Sequence, residues 1–101
     1  MQKKEIEETK NELLELGFNV DSVGIVYWVD AIKIVKNNPL IWDMCDIYEK
    51  VAKKNITTST KVERGMRTSI EPAKENIQKK YSYYKPIKNS TFLNLIRFKI
   101  I

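Results

Sequence analysis

Histidine is absent from the 101-residue sequence, and Cys45 is its only cysteine. A zinc site built from His and Cys ligands is therefore excluded, as is an internal disulfide, and a single cysteine suits a reducing compartment. The commonest general base of enzymes is missing too. Because the sequence also contains no nucleophile–base pair, no metal-ligand cluster and no phosphate-binding loop, it predicts a protein that is not an enzyme and needs no metal or cofactor.

Long apolar runs, glycine and proline are scarce as well. The longest apolar run extends from Ile25 to Val29, far short of the roughly 20 residues of a membrane span. The first 16 residues are charged and lack the apolar region of a secretion signal. The three Gly and three Pro lie mainly at segment boundaries, which favours helices over a turn-rich β fold. We therefore expect a cytoplasmic, all-α protein with about six helices around one core, forming a single domain over residues 1–101.

Charge is divided unevenly along the chain. Residues 1–52 hold six Lys against ten Asp and Glu, a net charge of −4, whereas residues 53–101 hold twelve Lys and Arg against three Glu, a net charge of +9. A basic half beside an acidic half is typical of a surface that binds polyanions. Ordinary surface lysines would give a similar composition, and charge alone leaves the two interpretations about equal.

Apolar residues recur at helical spacing in several segments. The pattern predicts a helix that Gly17 ends, two further helices before the centre of the chain and a last helix beginning at Asn89 or Ser90. The expected ranges of the first three are Lys3–Leu16, Ile25–Lys36 and Leu40–Lys54. Residues 74–89 are basic and aromatic, and we interpret them as a partly ordered connection that Pro86 interrupts. Trp28, Trp42 and Cys45 are expected in or near the core.

The segment from residue 51 to residue 70 has the arrangement of a helix-turn-helix. A helix ends in Lys53 and Lys54, a polar turn of four residues follows, and an amphipathic helix begins between Thr58 and Thr60. Two starts fit: Thr60 and Glu63 form a capping box, and Thr58 is an alternative N-cap. In a helix-turn-helix the second helix lies in the major groove of DNA, which makes residues 59–71 the predicted recognition helix.

Polar side chains share one face of this predicted recognition helix. Val62, Met66 and Ile70 fall on the other face, and Pro72 should kink or end the helix. The polar face carries Thr60, Lys61, Arg64, Arg67, Thr68 and Glu71. A solvated helix face explains the two arginines equally well, but their position opposite the apolar stripe favours contact with DNA.

At this point the sequence resembles the C-terminal DNA-binding domain of stage zero sporulation protein A, the response regulator of endospore formation. The core of the resemblance is Val51-Ala52-Lys53-Lys54, Thr57-Thr58, Val62-Glu63-Arg64 and Arg67. It continues upstream through Leu16-Gly17, Tyr27, Ala31, Ile32 and Val35, and downstream through Lys85-Pro86, Asn89-Ser90 and Phe92. It thus covers roughly residues 12–98.

The resemblance implies a six-helix, all-α domain that regulates sporulation genes. Its DNA targets would be short AT-flanked boxes with a TGTCGAA-like core, bound by tandem dimers. The implied base-reading residues are Glu63, Arg64, Lys61 and Arg67, and the implied contacts to the DNA backbone are Lys53, Lys54, Thr58, Thr60 and Thr68. Double-stranded DNA is therefore the expected partner, and a second copy of the chain and a sigma factor of RNA polymerase are further candidates.

Several departures from the family keep a second hypothesis open. Lys61 stands where the family has arginine, and Gly65 inside the recognition helix costs about 1 kcal/mol relative to alanine. Pro72 is not expected in this helix, and the sequence holds no receiver domain, which suggests an excised domain or a stand-alone relative. On the alternative hypothesis, the chain has lost specific DNA reading and acts as a protein-interaction module that modulates another regulator.

Overall fold

The computed structural model describes residues 3–100, and the side chains of residues 3–98, as an arrangement of helices without a strand. The helices are α1 (Lys3–Leu16), α2 (Val23–Asn37), α3 (Met44–Lys54), α4 (Ser59–Ile70), a 3-10 turn (Glu71–Ala73), α5 (Lys74–Tyr81) and α6 (Asn89–Ile100). The all-α prediction is confirmed. Because α4, the 3-10 turn and α5 follow one another without a break, the described part of the chain has five continuous helical stretches rather than about six.

Three helices end in the same type of cap. Gly17 has φ +105°, and the amide of Phe18 donates to the carbonyl of Leu13 at 3.1 Å, which is the bond pattern of a Schellman motif. α3 and α5 end in the same pattern, with Ile56 (φ 52°) and Ser82 (φ 51°) in the left-handed position. The cap at Ser82 closes a helix in a region for which the sequence predicted only a partly ordered connection.

Side-chain caps place the starts of α2 and α3 differently from the prediction. The Ser22 hydroxyl accepts a hydrogen bond from the amide of Gly24 at 3.1 Å, so α2 begins at Val23 rather than at Ile25. The Asp43 carboxylate accepts from the amide of Cys45 at 2.9 Å, so α3 begins at Met44 rather than at Leu40. Residues 40–42 therefore belong to a loop.

The core lies around α2, which packs against α1, α3, α4 and α6. Trp28 of α2 is fully buried, as expected, and its ring contacts Phe92 of α6 edge to face at a centroid distance of 5.1 Å. The indole nitrogen of Trp28 donates a hydrogen bond to the carbonyl of Met66 in α4 at 3.0 Å. A single side chain thus joins three helices.

Two residues expected in or near the core lie elsewhere. Cys45 is exposed, because it occupies the outward side of the first turn of α3. Trp42 is 53% exposed in the loop before that helix, where the guanidinium of Arg97 lies over its ring at 3.9 Å. Arg97 also donates to the carbonyl of Pro39 at 2.9 Å, so the loop is fastened to α6. No helix within residues 3–100 is long and apolar enough to cross a membrane.

Candidate nucleic-acid interface

The helix-turn-helix consists of α3, the turn formed by residues 55–58, and α4. The Thr58 hydroxyl accepts a hydrogen bond from the amide of Lys61 at 3.2 Å, so Thr58 is the N-cap of α4 and the capping box at Thr60 does not form. The predicted recognition helix, 59–71, corresponds to Ser59–Ile70. It ends there because Pro72 has no amide proton to continue the helical hydrogen bonds. Pro72 instead lies near the start of the 3-10 turn, where that proton is not needed.

The inner face of α4 is buried, and its outer face is polar. Val62 and Met66 are fully buried, and Ile70 is nearly so. The outer face brings together five exposed side chains, which belong to Thr60, Lys61, Arg64, Arg67 and Thr68. The sequence predicted this division of the helix, and hydrophobic burial fixes which face remains in solvent.

Glu63 lies at the edge of this outer face and is paired with Arg67. The carboxylate and the guanidinium are 3.1 Å apart, with an i, i+4 spacing along α4. Arg64 and Lys61 form no ion pair within the described residues. The face therefore presents two free cations and one ion pair, all of which are groups that hydrogen-bond to base edges or phosphates.

The turn is anchored to α2 through a buried carboxylate. Asp30 accepts hydrogen bonds from the Lys54 ammonium at 2.7 Å and from the Asn55 side-chain amide at 2.8 Å. The charge of Lys54 is thus balanced by a buried carboxylate, although its side chain is about half exposed, whereas Lys53 is exposed and has no such partner in the described part of the chain. Of the two lysines predicted to contact the DNA backbone, Lys54 also holds the turn in place.

A close crossing of α2 and α4 explains the glycine inside the recognition helix. A Cβ atom on Gly24 would overlap the backbone carbonyl of Gly65 and would lie 2.6 Å from the Cβ of Ser69. A Cβ atom on Gly65 would lie 3.0 Å from the ring of Tyr27, which is buried. Gly65 therefore gives up helix propensity because a Cβ atom there would crowd the buried ring of Tyr27 in α2.

A polar contact between α3, α4 and α6 was not anticipated from the sequence. The side-chain amide of Asn89 donates to the carbonyl of Glu63 and to the hydroxyl of Tyr48, both at 3.2 Å. Burial raises the pKa of Tyr48 above its usual value near 10, so the hydroxyl stays protonated at neutral pH. The sequence marked Asn89 only as a possible start of the last helix and as part of the family resemblance, and its separation of 26 positions from Glu63 leaves no local signal of this contact.

The described residues contain no group of three or more His, Cys, Asp or Glu side chains that could hold a metal ion. The ionisable groups at the interface instead pair with one another or face solvent. Tyr48, Glu63, Arg67 and Asn89 border a groove of about 400 Å³ between α3, α4 and the start of α6. The recognition helix therefore has solvent on its outer face and an open groove along one side.

Comparison with known proteins agrees with this geometry. Residues 9–100 match the family model described as sporulation initiation factor Spo0A, C terminal. No curated protein matches the sequence significantly. The match covers nearly the whole chain, including the helix-turn-helix and the helices α2 and α6, which pack against α4. The chain therefore belongs to the family of C-terminal, DNA-binding domains of the sporulation initiation factor Spo0A.

Proposed function

We propose that this protein reads a specific sequence of duplex DNA by placing α4 in the major groove. The base-reading residues are Glu63, Arg64, Lys61 and Arg67. The contacts to the DNA backbone come from Lys53, Lys54, Thr58, Thr60 and Thr68. The observation that carries the proposal is the exposed polar face of α4, which lies opposite a buried face and has an unpaired arginine near its middle.

The chemistry of this face suits direct base recognition. A guanidinium such as that of Arg64 can donate two hydrogen bonds to the O6 and N7 atoms of guanine, and a carboxylate such as that of Glu63 can accept one from the N4 amine of cytosine. The ion pair with Arg67 restricts the rotamers of Glu63 before DNA arrives. The negative charge of Glu63 also lowers the net positive charge of α4, so less of the affinity comes from phosphates that are present in every sequence.

Contacts to the DNA backbone would lie on either side of the recognition helix α4. Lys53 is exposed in the last turn of α3, just before the turn of the helix-turn-helix, and the N-terminus of α4 presents free amides and a positive dipole toward an approaching phosphate. The Thr58 oxygen caps α4, but its hydroxyl proton remains available to a phosphate oxygen. These groups would fix the register of α4 without contributing sequence preference.

The regulatory role follows from the mode of action that the family implies. On tandem boxes a second copy of the chain would bind beside the first, and a sigma factor of RNA polymerase would be the protein that responds to it in the cytoplasm. Native mass spectrometry on duplexes with one box and with two boxes would separate single binding from paired binding. One copy on both duplexes would argue against a dimer on DNA.

The test of base reading is fluorescence anisotropy with a duplex that carries the TGTCGAA-like core and with a scrambled duplex, at two salt concentrations. We expect preference for the box to persist at high salt. Arg64→Ala should weaken binding to the box by about 1–3 kcal/mol and relax its base preference. The matched control is Lys79→Ala, which removes one positive charge from the exposed surface of α5 and should leave the preference unchanged.

Other outcomes of this experiment would contradict the proposal. If Arg64→Ala weakens binding to both duplexes equally, Arg64 contacts phosphate and does not read a base. If the unmodified protein binds neither duplex, the protein-interaction hypothesis is favoured instead. The structure weakens two of the reasons for that hypothesis, because Gly65 serves the crossing with α2 and Pro72 lies beyond the end of α4.

A further inference from the structure

We propose that Asn89 is a positioning residue for base recognition, and that it sets the place of Glu63 in the major groove by holding the backbone of α4 against α3 and α6. The inference rests on the proposed function, in which Glu63 reads a base. It assigns a role in that reading to a residue that lies outside the helix-turn-helix, at the first position of α6.

The side-chain amide of Asn89 connects three helices. Asn89 is only 7% exposed, and both of its hydrogen bonds start from the same nitrogen. One bond ends on the carbonyl of Glu63 in α4, and the other ends on the hydroxyl of Tyr48 in α3. Since an amide NH2 group has two protons, these two acceptors use its whole capacity to donate.

The second observation is an unsatisfied atom. The side-chain oxygen of Asn89 is buried and has no hydrogen-bond partner among the described residues. A buried acceptor left unpaired destabilises the fold, and an apolar residue at this position would leave no acceptor unpaired. Turning the amide over would not help, because its oxygen would then face the carbonyl of Glu63. The arrangement therefore favours the two donated bonds at the expense of stability, as expected for a residue with a functional role.

The carbonyl that Asn89 holds belongs to a base-reading residue itself. A shift of the Glu63 backbone moves the Glu63 side chain with it, and a productive hydrogen bond to a base tolerates an error of only about 0.5 Å. The Glu63 carboxylate also forms an ion pair with Arg67, so a displaced Glu63 would in turn displace the Arg67 side chain. Among the described residues, α6 donates no such bond to Arg64 or Lys61.

The experiment measures anisotropy on the box and on a set of boxes that each carry one replaced base pair. The variants are Glu63→Ala, Asn89→Leu and the double variant, with Asn89→Ala as the second substitution at this position. Leucine has the same branching of side-chain heavy atoms as asparagine and no polar atom to leave unpaired, whereas the Tyr48 hydroxyl and the Glu63 carbonyl each lose a donor. These effects oppose each other, so we expect the melting temperature of Asn89→Leu to stay within a few degrees of that of the wild type. The control is Asn76→Leu, which also removes a bond from a side-chain amide to a backbone carbonyl, that of Leu16 at 2.8 Å, but at an exposed position away from α4.

We expect Asn89→Leu to lose about five- to tenfold of the discrimination at the base pair that Glu63 reads, with little change on the scrambled duplex. In the Glu63→Ala background the same substitution should cause no further loss, because the side chain that it positions is gone. Asn76→Leu should keep the wild-type discrimination. A purely structural role for Asn89 would instead lower binding to all duplexes in parallel with the melting temperature.

Two results overturn the inference in distinguishable ways. In the first, Glu63→Ala loses base discrimination, but both Asn89 variants keep it, or their loss is the same in the presence and in the absence of the Glu63 side chain. Asn89 then does not position Glu63, and the proposed function survives. If Glu63→Ala itself discriminates as well as the wild type, then Glu63 does not read a base, and both the positioning role and that part of the proposed function fail.

Discussion

Substituting Gly24 by alanine tests whether the recognition helix is held in place by its crossing with α2. Gly24 lies in the first turn of α2, where it faces the backbone of α4. The added methyl group would overlap the carbonyl oxygen of Gly65 and would lie 2.5 Å from the hydroxyl oxygen of Ser69. The first of these obstacles is backbone, so a change of rotamer cannot remove it and the helices must separate.

The size of the effect follows from two opposing contributions. Alanine gains up to about 1 kcal/mol in helix propensity over glycine, although less in the first turn of a helix than in its middle. Forcing an extra methyl group into a packed contact costs about 1–3 kcal/mol, and more where backbone has to move. We expect a net loss of about 2 kcal/mol, which for a domain of this size lowers the melting temperature by roughly 8–16 °C.

Thermal unfolding followed by circular dichroism measures this loss. The matched control is Val23→Ala, one residue earlier in α2, where the side chain is 58% exposed and the melting temperature should change by no more than a few degrees. Gly65→Ala should be milder than Gly24→Ala, since its new methyl group meets only the ring of Tyr27. A Gly24→Ala protein that melts at or above the wild-type temperature would refute the close crossing of α2 and α4.

Two further predictions concern other elements. Ile56→Asn should raise stability by about 1 kcal/mol in urea unfolding, because Ile56 is 94% exposed and a β-branched residue is strained at φ 52°, whereas asparagine tolerates this conformation; equal or lower stability would contradict the strain. Burial, followed by the negative charge of Glu12, raises the pKa of Tyr81, so its contribution to stability is complete below pH 10 and is lost as the pH rises through the raised value. Tyr81→Phe should therefore lose less stability than the wild type between pH 9 and pH 11, and parallel losses would show that Tyr81 does not cause the alkaline effect.

Most of the helices could be predicted because each carries a local signal. The apolar spacing of α1, α2 and α4 gave their extents to within two residues, and Gly17 marked the end of α1. The caps were harder to predict. Asp43 and Ser22 compete with other polar residues nearby, and only the fold decides which one starts a helix.

The helix α5 was not predicted because the residue that ends it in the left-handed conformation is not a glycine. The rule for a Schellman motif expects glycine in the left-handed position, so Ser82 gave no sign that a helix ends there. With no visible end, α5 was interpreted as part of a connection between residues 74 and 89. Ile56 occupies the same kind of position, but there the polar turn and the amphipathic pattern of α4 still revealed the boundary.

The candidate site was predictable in its outer face but not in what holds it. Which side chains of α4 point outward follows from the helical period alone, whereas their supports come from residues distant in sequence. Nothing in the sequence relates Gly24 to Gly65, and Gly65 taken alone only lowers the helix propensity of the recognition helix. Only the packed structure shows that each makes room for the other helix.

The supports of α4 are concentrated at its centre. Asn89 of α6 holds the carbonyl of Glu63, Gly24 of α2 lies against Gly65, and the indole of Trp28 donates to the carbonyl of Met66. Three contacts from two helices thus hold residues 63, 65 and 66, within one four-residue segment of α4. In the proposed function two of the four base-reading residues lie inside this segment and a third, Arg67, follows it directly. Substitutions that loosen these contacts should therefore reduce base discrimination before they reduce affinity for DNA in general, because phosphate contacts tolerate a shift that base contacts do not.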